Sequence, residues 1–490
     1  MTTKPVRSIA VVAAILASAA TAATAATAVP GLAPAAAHPG QAGPGLMRVI
    51  EQTSFVAPGG TFVLQAQVSS APPDAQLRVE VHDRVTTRSG FVRSLDGEGL
   101  RRRLLRVGPQ PLPSFSPTGD STIRLSLPLG NGPGQVPATA EGVYPVMVDL
   151  LDGGTQLSRL MTHLVLLPGP TDEEFSSLAV AVTLPIGGAP SVGVDGSVEI
   201  SSNTRNRIVA ATQPLLTHAD VPVTLVPTPE TVEGLAASND TVLAGLGQAA
   251  ADRQVLSGPY VRLDLAAWLE EDLGGELDDQ FARGANALSE RLTRPDGRTW
   301  VADPGINSAT VAWLRARGVD QVVVPEQNLT PLDDTDFPTT LTRPFAIEGA
   351  AGIRAVMADQ GLAAHVDASG DPLLDAHRLL ADLAVLYFDR PPLRRAAVVA
   401  IPDDWRPSAP FLDTLLGGLD SAPILSPVTL DELFEETPAA GEGGLDSDDE
   451  VLVRTLVPVE VSGLDSFADD LTAARADLAA YRAAVGPASP

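Results

Sequence analysis

The sequence predicts a multidomain protein, with an all-β immunoglobulin-like sandwich followed by an α/β domain of the (β/α) barrel-like type. Short alternating strands separated by Pro/Gly turns occupy residues 47–168, and this pattern is typical of a sandwich. Between residues 171 and 437, apolar strands alternate with helical segments, which indicates a parallel sheet with helical crossovers. The length of 490 residues agrees with two or three domains.

Residues 1–37 have the pattern of a secretory signal peptide. Lys4 and Arg7 supply the positive start, residues 9–29 are apolar and alanine-rich, and three alanines ending at Ala37 offer a cleavage site. The alternative is an uncleaved anchor. No later segment has the ~18 apolar residues that a membrane span needs. We therefore expect a secreted or extracytoplasmic protein.

The β domain is predicted from five segments that alternate apolar and polar residues. These segments are residues 61–68, 77–81, 123–127, 144–148 and 156–167. Asp152-Gly153 has the composition of a hairpin turn before the last of them. No catalytic group of residues occurs in this domain, so we expect it to serve in recognition or as a spacer.

The α/β domain is organised around residues 298–329, which are predicted to form a strand, a loop, a helix, a turn and a second strand. Asp303 followed by Pro304 is typical of a helix start, and Gly318 of a helix end. Further strands are predicted at residues 178–184, 221–226, 260–263 and 396–401. Helices are predicted at residues 205–219, 229–237, 265–271, 276–291, 304–317 and 373–387. Six or more such strands favour a barrel, complete or open, and no glycine-rich dinucleotide turn supports a Rossmann sheet.

The C-terminal part is predicted to contain a flexible acidic linker at residues 438–450. A strand-like run at residues 451–461 and an alanine-rich helix at residues 465–485 follow. Leu471, Leu478 and Tyr481 lie on the apolar side of that helix, which has little to pack on. We interpret residues 451–490 as an incomplete C-terminal region.

Composition excludes several classes of function. A net charge of -27, from 33 basic and 60 acidic residues, argues against a nucleic-acid partner and against adsorption to anionic lipid. The absence of cysteine excludes disulfides, thiolate nucleophiles and cysteine-ligated zinc. Lys4 is the only lysine, so a mature chain has no Schiff-base or phosphate-binding lysine. The six histidines form no H-x-x-x-H or H-E-x-x-H pair, and we expect no metal and no cofactor.

The predicted strands of the α/β domain end in acids or proline, and in a barrel these positions share the rim that carries active sites. Paired carboxylates at such a rim suit carbohydrate chemistry, as general acid and base or nucleophile. The catalytic candidates are Asp264, Asp303, Glu326, Asp403 and Asp404. The ligand-binding candidates are Glu230 and Trp405, whose indole could stack on a sugar ring.

Helix capping is the competing explanation for these acids. Asp303 before Pro304 and Thr228 before Pro229 have the pattern of N-caps, and Asp264 precedes a predicted helix. Residues 429–432 have the pattern of a capping box. Glu326 and Asp404 are not followed by a clear helix, and Trp405 is equally compatible with packing at the rim.

The second domain resembles the β/α-barrel superfamily of glycoside hydrolases and polysaccharide deacetylases. The resemblance is carried by PVTLVPTPETVEGLA at residues 222–236, WVADPGINSATVAWLRARGVDQVVV at residues 300–324, and the acids at strand ends. It implies a metal-independent glycoside hydrolase if the protein is an enzyme. Metal-dependent deacetylation is disfavoured, because the first strand ends in residues 184–187, LPIG, without the Asp-Asp of the deacetylase branch.

The whole chain resembles an uncharacterised actinobacterial family of exported proteins. The motifs are EGVYPVMVDL at residues 141–150, HRLLADLAVLYFDRP at residues 377–391 and AVVAIPDDW at residues 397–405. The resemblance implies a location in the cell envelope and a C-terminal membrane helix, which this chain lacks. It supplies no catalytic residues.

Three hypotheses follow. The first is an envelope protein whose degenerate carbohydrate-enzyme-like barrel binds cell-wall polysaccharide or an envelope protein, with a membrane contact only through the missing C-terminal anchor. The second is a glycoside hydrolase that uses two strand-end carboxylates at the separation this chemistry needs. The third is a structural scaffold, which predicts no open cleft at the strand ends.

Overall fold

The structure is a computed structural model that describes nine segments of the chain. They are residues 46–116, 121–169, 176–193, 195–238, 240–332, 343–389, 394–440, 451–459 and 463–485. The predicted leader, the boundary at residues 170–175 and most of the acidic linker, residues 441–450, lie outside the described residues.

The N-terminal region consists of two antiparallel sheets that share one hydrophobic core. In chain order it contains β1 (Met47–Gln52), β2 (Thr61–Val68), β3 (Gln76–His82), α1 (Arg88–Leu95), β4 (Arg103–Pro111), β5 (Thr122–Pro128), β6 (Gly142–Asp152) and β7 (Thr155–Leu166), with a 3-10 turn at Leu112–Phe115. One sheet has the order β1-β2-β5 and the other β4-β3-β6-β7. Phe62 and Leu64 of the first sheet are fully buried with Leu77 and Val146 of the second. All five predicted strands are present, whereas β1, β4 and helix α1 were missed.

The hairpin between β6 and β7 turns at Gly153 and Gly154, since Asp152 pairs with Thr155. The φ angles of the two glycines are 54° and 89°. Residues with side chains rarely adopt positive φ, so this pair of glycines permits a two-residue turn. The predicted hairpin is confirmed, with its centre one residue further along the chain.

The second region is an α/β domain. It contains β8 (Leu178–Ile186), α2 (Ser202–Thr217), β9 (Thr224–Pro227), α3 (Pro229–Ala237), α4 (Thr241–Ala250), α5 (Leu265–Glu270), α6 (Gly274–Arg291), β10 (Thr299–Val301), α7 (Ser308–Arg315), β11 (Gln321–Pro325), β12 (Phe345–Ile347), β13 (Arg354–Ala358), α8 (Gln360–Ala363), α9 (Pro372–Asp389), β14 (Arg395–Ala400), α10 (Ala409–Ser421), β15 (Leu425–Val428) and α11 (Leu430–Glu436), with a 3-10 turn at Glu326–Asn328. β16 (Val453–Arg454) and α12 (Asp465–Val485) follow. β12, β13, β15, α4, α8 and α10 were missed, and of these β12, β15 and α8 are only three or four residues long.

The strands of this domain form a curled, parallel half-barrel with the order β10-β11-β13-β14-β8, and both β9 and β15 pair with the far edge of β8. Isolated parallel bridges lead from Leu225 in β9 to Val255, and from Leu256 to Asp296 just before β10. β12 pairs antiparallel with β13 and carries β16 on its other side. The predicted parallel β/α architecture is thus confirmed.

The predicted strand at residues 260–263 was wrong. The backbone of Tyr260 is used by neighbouring helices, because its carbonyl accepts from the Glu230 N–H and its N–H donates to the Gln280 carbonyl. The bridging strand position falls instead at Val255 and Leu256, immediately after an exposed turn.

Helix α11 closes the end of the half-barrel at which the strands begin. Leu430, Leu433 and Phe434 are fully buried against inward-facing side chains of the sheet such as Val323 and Val398. The predicted capping box at residues 429–432 is confirmed and starts this helix. The strands run away from α11, so their carboxyl ends meet at the opposite, open edge.

The N-terminal region packs against the α/β domain through helices α1 and α9. Phe91 of α1 is fully buried in the core of the α/β domain, and Leu374 of α9 is buried in the core of the β sheets. Arg88, at the start of α1, donates to Asp359 at 2.5 and 2.7 Å and to Asp382 at 3.0 and 3.1 Å. His365 also contacts Asp382, at 3.1 Å. A buried charge network therefore joins the two regions.

Burial by itself raises the pKa of Asp382, but the hydrogen bond with His365 and the charge of Arg88 outweigh that effect and hold the pKa below its ordinary value. Because the pKa is depressed in the folded state, the carboxylate stabilises the fold above its unfolded pKa of about 3.9. That stabilisation is lost as the pH falls through the folded pKa.

We predict that Arg88→Ala lowers the free energy of unfolding by about 3 kcal/mol at pH 7, because it leaves Asp359 and Asp382 buried without their cation. The loss is expected to shrink as the pH falls toward and below about 4, because Asp382 without Arg88 takes up a proton more readily and is then buried as a neutral group. Urea denaturation at pH 7 and pH 4 measures both effects. Arg93→Ala, an exposed substitution in the same helix, is the matched control and should change stability by less than about 0.5 kcal/mol. A loss at pH 4 as large as that at pH 7 would contradict the electrostatic explanation.

Candidate functional site

A pocket of about 770 Å³ opens at the carboxyl ends of the parallel strands. Residues that follow β9, β10, β11, β13 and β14 contribute to its wall, since parallel strands deliver their carboxyl ends to one edge of the sheet. Helix α11 occupies the other end of the half-barrel, which leaves this edge as the accessible one.

Six carboxyl groups line the pocket, and they include all five catalytic candidates predicted from the sequence. They are Asp264, Asp303, Glu326, Asp359, Asp403 and Asp404. Arg262 is the one basic side chain among the lining residues, and Trp300 supplies an aromatic ring. The rule that strand ends share a rim thus brought together residues up to 140 positions apart in the chain.

Asp303 lies two residues beyond β10, partly buried in the pocket wall. Its Oδ1 accepts a hydrogen bond from the Gly305 N–H at 2.8 Å. Burial raises the pKa of Asp303, and the negative charges of Asp264 and Asp403 raise it further, against the opposing effect of the Gly305 hydrogen bond. This carboxyl group therefore holds a proton more readily than an ordinary aspartate.

The predicted capping role of Asp303 was wrong. Helix α7 begins at Ser308, and its N-cap is Asn307, whose side chain accepts from the Thr310 N–H at 2.9 Å. The carboxylate of Asp303 is used in a turn over Gly305 before the helix starts. The local sequence of Asp303 suits both roles, and the six-residue loop at residues 302–307, which precedes α7, decided between them.

Asp264 is the N-cap of α5, as the capping interpretation predicted. Its Oδ1 accepts from the Ala267 N–H at 3.0 Å, and the residue is nevertheless exposed to the pocket. The Cβ position of Gly305 would lie 3.0 Å from Asp303 Oδ1 and 3.3 Å from Asp264 Oδ1. The two oxygens can be no further apart than the sum of these two distances, so the two carboxyl groups face each other across Gly305.

Asp403 and Asp404 follow β14 and are both exposed. The guanidinium of Arg262 forms an ion pair with Asp403 at 3.1 Å. Its Nε donates to Thr228 Oγ1 at 3.3 Å, which holds the cation over the pocket edge. Thr228 is the N-cap residue of α3 with Pro229 at the first helical position, as predicted, but its side chain makes no capping hydrogen bond.

Glu326 and Asp359 form the third side of the pocket. Glu326 is exposed, and its Oε2 accepts from the Gln360 N–H at 3.2 Å. Asp359 is buried, caps α8 through the Leu362 N–H and binds Arg88 of the N-terminal region. The sequence reasoning missed Asp359 because it missed β13. The same strand-end rule, applied to residues 354–359, RAVMAD, finds it.

The two ligand-binding candidates do not line the pocket. Glu230 is 2% exposed, and its Oε1 accepts from the Ser191 N–H and hydroxyl and from the Val192 N–H at 2.6 to 2.9 Å. It orders the loop after β8. Trp405 is 7% exposed and packs edge-on against Phe411, with ring centroids 5.5 Å apart. Its indole lies in the core, so the rim-packing alternative is correct.

Within the described residues, no group of three or more His, Asp or Glu side chains is arranged to hold a metal ion. None of the helices described is both long and apolar enough to cross a membrane.

Comparison with known families identifies the chain. The profile of a family of unknown function, DUF6049, matches residues 3–486. The chain belongs to this family. The search among curated proteins gave no match.

Among solved structures, similar chains include carbohydrate-active enzymes at low identity. The 4-alpha-glucanotransferase from Thermococcus litoralis has 12% identity and a TM-score of 0.42, over 58% of this chain and 43% of that one. The alpha-amylase AmyC from Thermotoga maritima has 11% identity and a TM-score of 0.43, over 60% and 79%. An alpha-mannosidase from Enterococcus faecalis has 9% identity and a TM-score of 0.35, over 53% and 30%. The DUF6049 chain thus spans less than half of the length of the glucanotransferase.

We predict that Asp303→Asn stabilises the protein at neutral pH, because it removes a charge that burial and two neighbouring anions disfavour. Stabilising substitutions at such sites give about 0.5–2 kcal/mol. The pKa of Asp303 is raised in the folded state, so the gain should be full above that pKa and vanish below the unfolded value of about 3.9. Urea denaturation across this pH range measures it. Asp404→Asn, exposed on the same pocket, serves as the control, and equal effects of the two substitutions would contradict the assignment.

Proposed function

We propose that this DUF6049 protein is an exported protein of the cell envelope that binds a neutral carbohydrate chain in the pocket at the strand ends. The observation that carries the proposal is the open cleft of about 770 Å³ with six carboxyl groups on its wall. That volume lies within the range of about 300–1,000 Å³ that is usual for small-ligand pockets.

The lining groups suit sugar hydroxyls. Carboxylates are strong hydrogen-bond acceptors, and hydroxyl groups are the donors that a sugar offers in quantity. Trp300 adds an apolar ring surface beside them, and Phe281 supports that ring with centroids 5.5 Å apart. The combination of a few polar groups with an apolar wall is typical of small-molecule sites.

The negative charge of the pocket wall favours neutral sugars over acidic ones. Arg262 is the one cation among the lining residues, and it is already paired with Asp403. A uronic acid or a phosphorylated sugar would bring a further negative charge toward a wall with six carboxyl groups and one cation, at an electrostatic cost. We therefore propose a neutral glycan. Export and the envelope location rest on the pattern of residues 1–37 and on the family resemblance of the sequence.

We predict that neutral oligosaccharides bind the full chain and that Asp404→Ala weakens their binding about tenfold, the effect of losing one hydrogen bond to a charged acceptor. Isothermal titration with neutral and with uronic-acid oligosaccharides measures the affinity of the unaltered protein and of the variant for each series. Asp420→Ala, an exposed carboxyl group on α10 outside the pocket, is the matched control and should leave the affinity unchanged. Tighter binding of the uronic-acid series, or equal effects of the two substitutions, would contradict the proposal.

Hydrolysis of a glycosidic bond is the second candidate, and the facing pair of Asp303 and Asp264 is the observation that favours it. Asp303 has the raised pKa that a general acid requires. The Oδ1 atoms of both groups lie close to the Gly305 Cβ position, at 3.0 and 3.3 Å, and a close pair of carboxyl groups is what a retaining mechanism requires. In that mechanism Asp303 would protonate the leaving oxygen and Asp264 would attack the anomeric carbon. The capping bond of Asp264 to Ala267 stabilises its anion and opposes its use as a nucleophile.

We predict for this candidate that any bound glycan is cleaved with a rate that falls as the pH rises through the pKa of Asp303, since only the protonated acid can donate. Asp303→Asn should lower the rate at least a hundredfold while binding is retained, because general-acid catalysis contributes about 10²–10⁴-fold. Release of reducing ends, followed against pH, measures this. Binding without any release would remove the hydrolase candidate and leave the binding proposal in place.

A further inference from the structure

Helix α12 carries a regular apolar seam that the fold leaves largely exposed and that lies outside the pocket. Phe467, Leu471, Ala474, Leu478 and Tyr481 follow one another at alternating intervals of four and three residues. An average interval of 3.5 residues is the repeat of a left-handed coiled coil, in which these positions face a partner helix. A helix that packs on a globular domain needs only a broader, less regular face.

The rest of the chain covers the seam only in part, since Phe467 is 44% exposed and Leu471 is half-buried. The ring of Phe467 packs against Trp268 of α5, with centroids 5.7 Å apart. Further along, Leu478 is 48% exposed and Tyr481 is 66% exposed. Large apolar side chains at that exposure lie on one side of the helix, and a partner that covered them would lower the free energy by removing apolar surface from water.

The charges beside the seam select the partner. Asp470 and Asp477 flank it on one side, and Arg475 and Arg482 flank it on the other. Each aspartate precedes an arginine by five residues, which is the spacing of the ion pairs that cross between the two helices of a parallel, in-register dimer. An antiparallel pair of the same helices would place aspartate opposite aspartate and arginine opposite arginine.

Within one chain, these charges are largely uncommitted. Arg475 forms an ion pair with Glu276 of α6. Asp470, Asp477 and Arg482 form no ion pair with any side chain in the described part of the molecule. The pair of Asp477 with Arg482 is therefore the clearest determinant of dimer formation.

We infer that α12 of one chain pairs with α12 of a second copy in a parallel coiled coil, which makes the protein a reversible dimer. The helix has 21 residues and so extends about 31 Å, or three heptads. Ala474 at the middle of the seam makes the interface thin, and charges contribute to it, so the association is salt-dependent. This dimer is independent of what the pocket binds.

Charge reversal in the full chain tests the pairing. In the parallel dimer, residue 477 of each chain meets residue 482 of the other. Asp477→Arg alone and Arg482→Asp alone each place like charges at both of these contacts, and each should raise the dimer dissociation constant at least tenfold. In an equimolar mixture of the two variants, a dimer of one chain of each kind has opposite charges at both contacts. The mixture should therefore dimerise at least as tightly as the unaltered protein. Sedimentation velocity over a concentration series measures all three. A protein that remains monomeric throughout, or a mixture that is no tighter than its components, would overturn the inference.

Cross-linking tests the orientation, and the absence of cysteine from the chain makes the result specific. In a parallel dimer, chains with Tyr481→Cys should oxidise readily to a disulfide between equivalent positions. In a centred antiparallel dimer, position 481 would lie opposite position 471, so a mixture of Tyr481→Cys and Leu471→Cys chains would form mixed disulfides instead. Predominance of the mixed product would overturn the parallel arrangement.

A matched pair of substitutions separates the seam from the helix itself. Leu478→Glu should abolish dimer formation, whereas Ala476→Glu, on the outer face of the same helix, should not. Both replacements are helix-compatible, and circular dichroism of the two variants confirms equal folding. Equal dimer formation by both variants would show that the seam is not the interface.

Discussion

Helix α11 packs Leu430, Leu433 and Phe434 against the inner surface of the parallel sheet. Its own polar groups are satisfied by the first residues of the strands, since the Leu430 N–H donates to Thr224 Oγ1 and Asp431 accepts from Gln321. These side chains fill the interior of the half-barrel. The inner face of the strands is therefore buried, although the strands do not close into a ring of eight. The open edge on the opposite side exists because the filling stops short of the strand ends.

The open edge of the half-barrel collects acidic side chains in the pocket. Each parallel strand contributes the residues just beyond its carboxyl end, and in this chain many of those residues are acids. Most of them find a compensating donor: Asp264 and Asp359 cap helices, Glu326 accepts from Gln360, and Asp403 pairs with Arg262. Asp303 is partly buried and has one backbone N–H donor and two neighbouring anions, so burial and the nearby charges raise its pKa. A carboxyl group in that condition can donate a proton or a hydrogen bond to a ligand oxygen.

The N-terminal region contributes to this arrangement from outside the barrel. Arg88 binds Asp359, which lines the pocket, and Asp382, which lies in α9. Phe91 anchors the same helix in the core of the α/β domain. The β sheets are therefore mechanically connected to one wall of the pocket, and the buried charges make that connection specific in orientation. A spacer role, as the sequence alone suggested, does not require such a contact.

The sequence by itself determined the types of most long elements and the side of the sheet on which the acids collect. Hydrophobic period and turn residues act over a few positions, which is why Thr61–Val68, Pro229–Ala237 and Asp465–Val485 were predicted at their observed bounds. The tertiary structure alone decided that Asp303 faces Asp264 and carries a raised pKa, that Trp405 is buried, and that Arg88 reaches Asp359. Burial and proximity of charge depend on residues far apart in the chain, so a local pattern that fits both a cap and a catalytic acid cannot distinguish them.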